Sequence, residues 1–356
     1  MKFVTLHPMP IIDPGFFNRD VGQIGYTVSK HSVLEPEVWW LPVSEKPEKF
    51  EIENQKWRSF QNKWQLYKTL WNEAKTISLL HVYHIWHYSL IWAIIFKIWN
   101  PKGKVYVKLD CPYLWKNDIF FIFTQPILWV VDNIGVEDWR YIEHFHKKFL
   151  KYKNKFIFTP CGAVNLREYI WNLRKENKIA LCGRFGDPIK NYELFIDVLE
   201  RFDVSFLKDW TIYFLGGYTD AFFSRVQNLL NKKPELKKII VLTGFIQEKS
   251  EIYNYLRNTK IFLHTSKKEW EPNVQFDAMF CGCYMLSTDV GSIRQNYPEN
   301  ASTFYENNDP TSLYTTLKEM IEDNKGLQKY DAENVQNYCL EHFTWEKSLA
   351  PLLVNL

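Results

Sequence analysis

Residues 261–289 combine acidic side chains with residues that bound a helix, between two short apolar runs. The segment carries three carboxylates, at Glu269, Glu271 and Asp277. Pro272 suits the first position of a helix, and Gly282 suits its end. The start of such a helix offers backbone N–H groups and a positive dipole end to a phosphate, while nearby carboxylates can bind hydroxyl groups. This combination predicts a site for a sugar nucleotide.

A basic element precedes that segment. Residues 183–191 read Gly-Arg-Phe-Gly-Asp-Pro-Ile-Lys-Asn, follow an apolar run and open a helical pattern. The Arg184 guanidinium and the Lys190 ammonium could both contact a diphosphate and stabilise its charge as it leaves. The alternative is two solvated surface residues.

Two candidates lie in the first half of the chain. Gly22 belongs to Asp-Val-Gly-Gln-Ile-Gly-Tyr at residues 20–26, between a predicted strand and a helix, where its backbone could approach a ligand. Asp110 ends an apolar run and could orient an acceptor hydroxyl, although it could equally cap a turn before Pro112. The chain has neither a G-x-G-x-x-G fingerprint nor a P-loop motif, which disfavours a dinucleotide oxidoreductase and a P-loop enzyme.

No pattern of metal ligands is convincing. A strand over residues 78–83 would put His81 and His84 on opposite faces, and no Asp-x-Asp occurs, so no metal is expected. The six cysteines lack C-x-x-C spacing and are expected to be reduced thiols rather than disulfides or zinc ligands.

The charge is nearly balanced. The net charge of the 356 residues is +3, and residues 1–170 hold 22 Lys and Arg against 16 Asp and Glu. So small and unclustered an excess disfavours nucleic-acid binding. It leaves open an acidic acceptor or an anionic membrane surface.

Alternating apolar runs and periodic segments predict an α/β protein with two parallel-sheet domains of the Rossmann type. Strands are expected at 2–6, 38–41, 78–83, 104–109, 127–131, 155–159, 178–182, 210–215, 238–243, 260–264 and 284–288. Helices are expected at 60–75, 87–99, 136–150, 190–201, 220–231, 249–257, 272–281 and 311–323. The domains are expected at 1–165, with a C-terminal helix of about 333–356, and at 175–332.

Small residues follow each strand of the second set, at Gly183, Gly216-Gly217, Gly244, Thr265-Ser266 and Thr288. Ligands of open α/β sheets bind at the carboxyl ends of the strands, so this edge predicts a nucleotide crevice. Glycines that merely turn the corners between strand and helix are the alternative.

The N-terminus reads as a strand rather than a signal peptide, and a cytoplasmic protein is expected. The most apolar stretch, Ile85 to Trp99, is too short to span a bilayer. With Lys97, Lys102 and Lys104 nearby, it could rest on the inner membrane face as a peripheral contact, or be an ordinary buried amphipathic helix.

Together these residues resemble glycosyltransferase family 4, the retaining GT-B enzymes of bacterial surface-polysaccharide type. The family's Glu-x7-Glu before Ala-Met-x-x-Gly is similar to Glu269-x7-Asp277 before Ala278-Met279-Phe280-Cys281-Gly282. Its Gly-Arg…Lys-Asn element resembles residues 183–191. Its Val-x-x-x-Gly strand is similar to Val241-Leu-Thr-Gly244, which has two residues between Val and Gly, and its Phe-Ser-Trp segment is similar to Phe343-Thr344-Trp345, whose helix crosses back to the first domain.

The resemblance implies a role for each site residue. Glu269 would contact the donor hexose, Arg184 and Lys190 the diphosphate, and Asp277 the ribose. Asp110, as the acceptor contact, is the fourth candidate catalytic residue. The remaining donor-binding candidates are Gly22, Gly217, Phe245, Ile246, Pro272, Asn273 and Val274. Two departures are that Asp277 is one methylene shorter than the usual Glu, and that Trp270-Glu271-Pro272 replaces Gly-Phe-Gly.

The resemblance therefore implies a retaining, metal-independent hexosyltransferase without a cofactor. It would use a UDP- or GDP-sugar and a saccharide, lipid-linked or glycan acceptor. The alternatives are a catalytically weak protein that binds nucleotide sugars or carbohydrates, and a sugar-nucleotide epimerase on the same fold. The donor, the linkage and the oligomeric state do not follow from the sequence.

Overall fold

A computed structural model describes residues 1–8, 14–41, 49–84, 87–109, 125–164 and 173–354. The chain divides into two compact units. Unit 1 comprises Met1–Val164 and Trp345–Leu356, and unit 2 comprises Asn165–Thr344. The helix Ala332–His342 belongs to unit 2 and packs on the helix Val274–Phe280. Only the last part of the segment expected at 333–356 therefore lies in unit 1.

Unit 1 is built on an eight-stranded sheet with the order β3-β4-β2-β1-β5-β6-β7-β8. All neighbouring strands are parallel except β3 and β4. The strands are β1 Lys2–His7, β2 Glu35–Trp40, β3 Lys49–Ile52, β4 Gln55–Ser59, β5 Ile77–Tyr83, β6 Lys104–Leu109, β7 Asn133–Val136 and β8 Phe156–Phe158. The α-helices are Asp20–Lys30, Lys63–Glu73, His87–Trp99, Ile127–Val130, Trp139–Lys148, Trp345–Ser348 and Ala350–Leu353.

The central strands of unit 1 are apolar on both sides because helices cover both faces of the sheet. One face packs against a large core in which Leu66, Leu70, Trp92 and Phe96 come from the helices. The other face packs a smaller cluster around Trp40 beneath the helix Asp20–Lys30. This double cover explains why β5, Ile-Ser-Leu-Leu-His-Val-Tyr, shows no alternation of polar residues.

Unit 2 is built on a six-stranded, all-parallel sheet with the order β11-β10-β9-β12-β13-β14. The strands are β9 Glu176–Cys182, β10 Thr211–Leu215, β11 Ile240–Gly244, β12 Thr259–His264, β13 Tyr284–Thr288 and β14 Ser302–Tyr305. The α-helices are Glu193–Arg201, Asp220–Lys232, Lys249–Leu256, Val274–Phe280, Ile293–Asn296, Pro310–Asp323 and Ala332–His342. Counted from β9, this is the doubly wound order 3-2-1-4-5-6.

Most predicted elements are confirmed, but the strand expected at 127–131 is wrong. Residues Ile127–Val130 form a short helix, and the strand follows at Asn133–Val136. A short apolar run does not by itself distinguish a strand from a buried helical turn. β14 and the β3–β4 hairpin were not predicted from the sequence. The hairpin's turn residues Glu53 and Asn54 both have positive φ, without the usual Asn-Gly signal.

Candidate functional site

The candidate site of unit 2 lies where the strand order reverses, between β9 and β12. These two strands are neighbours in the sheet, but their following connections run to opposite sides. Residues 183–191 leave the carboxyl end of β9, and residues 265–273 leave that of β12. The two segments that carry the predicted chemistry are therefore brought to one sheet edge by the topology.

A partly buried carboxylate is at the centre of this edge. Glu269 Oε1 accepts hydrogen bonds from Lys190 Nζ at 2.5 Å and Ser266 Oγ at 2.7 Å. His264 Nε2 lies 3.6 Å from the same oxygen. Burial by itself would raise the pKa of Glu269, but His264 and Lys190 lower it to about 2. Glu269 is therefore an anion at neutral pH and offers oxygen acceptors, not a proton.

The loop that carries Lys190 is tied to the end of β12 through its backbone. Thr265 Oγ1 donates to Lys190 O at 2.8 Å, and Lys267 N donates to Ile189 O at 2.8 Å. Asn191, which follows, has φ 54° and is buried. These two contacts fix the backbone at residues 189 and 190, and with it the point from which the Lys190 side chain extends.

Arg184 is placed differently from Lys190. Its side chain is 78 % exposed, and its Nη2 contacts Asp187 Oδ2 at 2.8 Å. Asp187 Oδ1 accepts from Ile189 N at 2.9 Å. In this structure the two basic residues pair with different carboxylates. For both to bind one anion, Arg184 would have to leave Asp187.

Asp277 is held by a second lysine. Its Oδ2 lies 2.7 Å from Lys249 Nζ, and its Oδ1 accepts from Tyr253 OH at 3.1 Å. Burial raises the pKa of Tyr253 well above its ordinary value, so this phenol is a stable donor. Lys249 and Tyr253 lie one turn apart in the helix that follows β11. The carboxylate is therefore oriented before any ligand arrives.

Both ion pairs surround the end of β9. Burial raises the pKa of the Cys182 thiol to about 12, and Asp277, Lys249 and Lys190 all act on it electrostatically. Lys190 is paired with Glu269, and Lys249 with Asp277, so at least one member of each ion pair influences the Cys182 thiol. The edge carries two anions and two cations at close range.

The predicted donor contacts at 272–274 are reduced to two. Pro272 has no N–H to donate, and the helix begins at Val274 with Asn273 before it. The backbone N–H groups of Asn273 and Val274 precede the first hydrogen bonds inside the helix. They are therefore the donors at this helix start that a ligand could use. The preceding Glu271 accepts a hydrogen bond from Asn296 Nδ2 at 3.0 Å, which stabilises this turn.

The glycines at the neighbouring strand ends allow close backbone contact. A Cβ on Gly216, where φ is 138°, would lie 2.1 Å from Gly183 O. Gly217 is near Phe245, whose Cβ would be 3.8 Å from an added Cβ. Phe245 is 70 % exposed, and Ile246 beside it is partly exposed. A base could stack on Phe245 without any rearrangement of the core.

The remaining candidates lie in unit 1. Gly22 is inside the helix Asp20–Lys30 rather than before it, and an added Cβ would lie 2.5 Å from Phe17 Cα and O. Packing within unit 1 therefore already requires a residue without a side chain at this position. Asp110 lies outside the described residues.

Three members of the site, Lys249, Tyr253 and His264, were not predicted from the sequence, and Ser266 was predicted only as a small residue after a strand. A signal existed for His264, because it ends a predicted strand. Lys249 and Tyr253 gave none, since their relation to Asp277 is purely spatial. None of the described cysteines forms a disulfide.

Residues 176–323 match the family described as Glycosyl transferases group 1. Solved structures with the same fold include sucrose-phosphate synthase from Thermosynechococcus elongatus, at 13% identity and a TM-score of 0.67, covering 100% of this chain and 98% of that one. HepE from Anabaena, solved with UDP and glucose, has 13% sequence identity to this chain and a TM-score of 0.67, covering 100% of both chains. The lipopolysaccharide outer core galactosyltransferase WaaB, in its apo form, has 12% sequence identity to this chain and a TM-score of 0.69, covering 100% of both chains. No curated protein sequence matches the chain.

The predicted GT-B fold with two parallel-sheet α/β units is confirmed by this likeness over the whole chain. The family match lies within unit 2. It confirms the prediction that the protein is a glycosyltransferase. Among the residues that the structure describes, no helix is both long and apolar enough to cross a membrane.

Proposed function

We propose that the protein is a retaining, metal-independent glycosyltransferase of family 4. It moves a hexose-type sugar from a UDP- or GDP-sugar to a saccharide, lipid-linked or glycan acceptor, as a cytoplasmic enzyme of polysaccharide biosynthesis. The proposal is supported by the family match and by HepE, whose structure holds UDP and glucose. WaaB, a lipopolysaccharide outer core galactosyltransferase, favours a saccharide acceptor.

The observation that carries the proposal is the ionised Glu269 between Lys190 and His264 at the reversal of the strand order. A carboxylate with a pKa of about 2 can accept hydrogen bonds from sugar hydroxyls throughout the physiological range. Lys190 lies against it with a side chain 24 % exposed, so one ammonium can serve both the carboxylate and an incoming phosphate.

In this proposal the leaving diphosphate is stabilised by Lys190, by Arg184 released from Asp187, and by the Asn273 and Val274 amides. Such preorganised donors act where negative charge develops. The acceptor hydroxyl bonds to the anomeric carbon on the face from which the diphosphate departs, as the bond between that carbon and the phosphate oxygen breaks. The hydroxyl proton passes to the departing phosphate oxygen, and same-face attack retains the anomeric configuration. Closure over the acceptor would exclude water and limit hydrolysis of the donor.

The ribose is assigned to the Asp277–Lys249 pair rather than to Asp277 alone. Both Asp277 oxygens already accept hydrogen bonds, and a carboxylate can accept further ones from ribose hydroxyls. Lys249 holds the shorter Asp in place and adds a positive charge beside the nucleotide.

The test begins with a panel of nucleotide sugars screened by thermal stabilisation, followed by transfer assays with the donors that bind. Lys190→Ala and Arg184→Ala should each lower turnover by roughly 10²–10³-fold, as expected for the loss of one charge-stabilising donor. Lys267→Ala removes an exposed neighbouring charge and serves as the matched control. Wild-type turnover in both site variants would contradict the proposal. Product from the donor without an acceptor would favour an epimerase instead.

A further inference from the structure

A pocket of about 490 Å³ opens in unit 1 at the amino ends of the strands β1, β5 and β6. Its walls come from the segment after the helix Asp20–Lys30, from the turn before β6 and from the helix Ala350–Leu353. Ligands of open α/β sheets usually bind at the opposite, carboxyl ends of the strands. The volume is nevertheless that of a small-molecule site. The pocket shares no residue with the candidate site of unit 2.

The charged side chains that line this pocket are basic. They are His31, Lys102 and Lys104, and none of the described residues that line it is acidic. His31 and Lys102 are exposed, and Lys104 is half-buried. Neither Lys102 nor His31 forms an ion pair with a carboxylate in the part of the chain that the structure describes. The Ser78 hydroxyl lines the same space. Such a lining offers charge and hydrogen-bond donors to an anion.

Carboxylates on the neighbouring strands are already paired with other lysines. Glu35, at the start of β2, lies 3.6 Å from Lys56 Nζ. Asp132, just before β7, lies 2.8 Å from Lys97 Nζ. The pocket therefore keeps an excess of positive charge.

Basic residues are common at the carboxyl ends of helices because they offset the negative end of the helix dipole. At this edge, however, backbone donors close the last helical turns. His31 N donates to Val28 O at 3.2 Å, and Asn100 N donates to Phe96 O at 2.7 Å. The His31 ring and the Lys102 ammonium take no part in these bonds, so capping does not account for them.

The turn that carries Lys102 is fixed by its neighbours. Asn100 Oδ1 accepts from Gly103 N at 2.9 Å, and Asn100 Nδ2 donates to Ile77 O at 2.7 Å. Gly103 is buried, and an added Cβ would lie 2.3 Å from the Phe96 ring. The Lys102 side chain thus extends from an ordered backbone, which lowers the entropy cost of binding.

The remaining lining combines this charge with apolar surface. Leu34, Leu79 and Leu353 line the pocket beside the basic residues. We propose that the pocket binds a small soluble phosphate monoester of about the size of a hexose phosphate. A phosphate monoester carries about −1.5 to −2 charge and three acceptor oxygens, which suits the basic side chains and Ser78. Its carbon skeleton lies against the leucines. The proposal does not rest on the transferase activity.

The test is calorimetric titration of the full chain with glucose 6-phosphate, inorganic phosphate and glucose. The wild type should bind glucose 6-phosphate at least about tenfold more tightly than either of the others, because only this ligand uses both the charge and the apolar wall. The affinity should fall as the salt concentration rises, since exposed charges are screened.

A charge variant locates the site. Lys102→Glu with His31→Gln should weaken the binding of glucose 6-phosphate at least about tenfold, because charge-assisted hydrogen bonds are lost. Both positions are exposed, so the fold should be retained, which circular dichroism checks. Lys68→Glu with His87→Gln makes the same change of charge at exposed positions elsewhere in unit 1 and should leave the affinity unchanged.

Lys190→Ala separates the pocket from the candidate donor site, where a phosphate could also bind. Binding of glucose 6-phosphate should persist in Lys190→Ala. Loss of binding there, with unchanged affinity in Lys102→Glu with His31→Gln, would overturn the proposal. So would the absence of wild-type binding at millimolar ligand, measured by calorimetry and by thermal stabilisation. Equal affinity for inorganic phosphate would also overturn it, because the leucines would then contact no ligand.

Discussion

The ionised state of Glu269 is the property of the site that can be tested without knowing the donor. Its ordinary pKa of 4.5 falls to about 2 in the folded protein. The side chain is only 12 % exposed, so solvent screens its partners little. A difference of about 2.5 pKa units corresponds to about 3 kcal/mol of folding free energy at neutral pH.

The sign follows from the direction of the shift. A carboxyl group whose folded pKa is lowered stabilises the protein above its unfolded pKa, and this stabilisation is lost as the pH falls toward the folded pKa. With values of 4.5 and about 2, the contribution of Glu269 declines by roughly 0.8 kcal/mol between pH 7 and pH 4, and by roughly 2 kcal/mol at pH 3.

The perturbation is Glu269→Gln, which keeps the shape but cannot ionise. Urea unfolding followed by far-UV circular dichroism gives the free energy of unfolding at each pH. The advantage of the wild type over the variant should shrink by roughly 0.8 kcal/mol from pH 7 to pH 4. Glu299→Gln, at an exposed position, should follow the wild type in parallel. A constant difference between wild type and Glu269→Gln over this range would refute the reasoning.

Two further predictions concern the same sheet edge. If the proposed donor site is right, Lys249→Met should raise the KM for the donor about 10- to 100-fold and leave kcat within about threefold, because a charge-assisted contact made equally in ground and transition states is lost. Initial-rate kinetics check this, and an unchanged KM would remove Lys249 from the site. Gly216→Ala should destabilise the fold by more than about 2 kcal/mol, since its Cβ would lie 2.1 Å from Gly183 O. Gly244→Ala, with φ 74° and no atom within 4 Å of the new Cβ, should cost only about 1 kcal/mol in thermal or urea denaturation.

Long periodic segments were the most predictable part of the fold. The helix expected at 87–99 is observed at His87–Trp99, and the one expected at 220–231 at Asp220–Lys232. These patterns are local, because one face of each helix must be apolar to pack. Failures fall where a run of about four residues is short enough for either state, as at Ile127–Val130.

The carboxylates of the candidate site were predictable, but their partners were not. Glu269 and Asp277 stand in a recognisable spacing, whereas Lys190 reaches Glu269 across 79 residues and Lys249 reaches Asp277 across 28. Such pairs depend on which strands are neighbours. Gly22 lies within a helix and packs on Phe17, and its approach to a ligand stays a prediction.

The sequence by itself determined the class of fold, the order of strands and helices along the chain, and the carboxylates that could bind a sugar nucleotide. These depend on local periodicity and on residue type. The tertiary structure decided that β12 lies beside β9, and therefore that Lys190 and His264 hold Glu269 as an anion. It also decided that Ile91, Ile94 and Ile98 face solvent, because exposure depends on what packs against a helix and not on the helix alone.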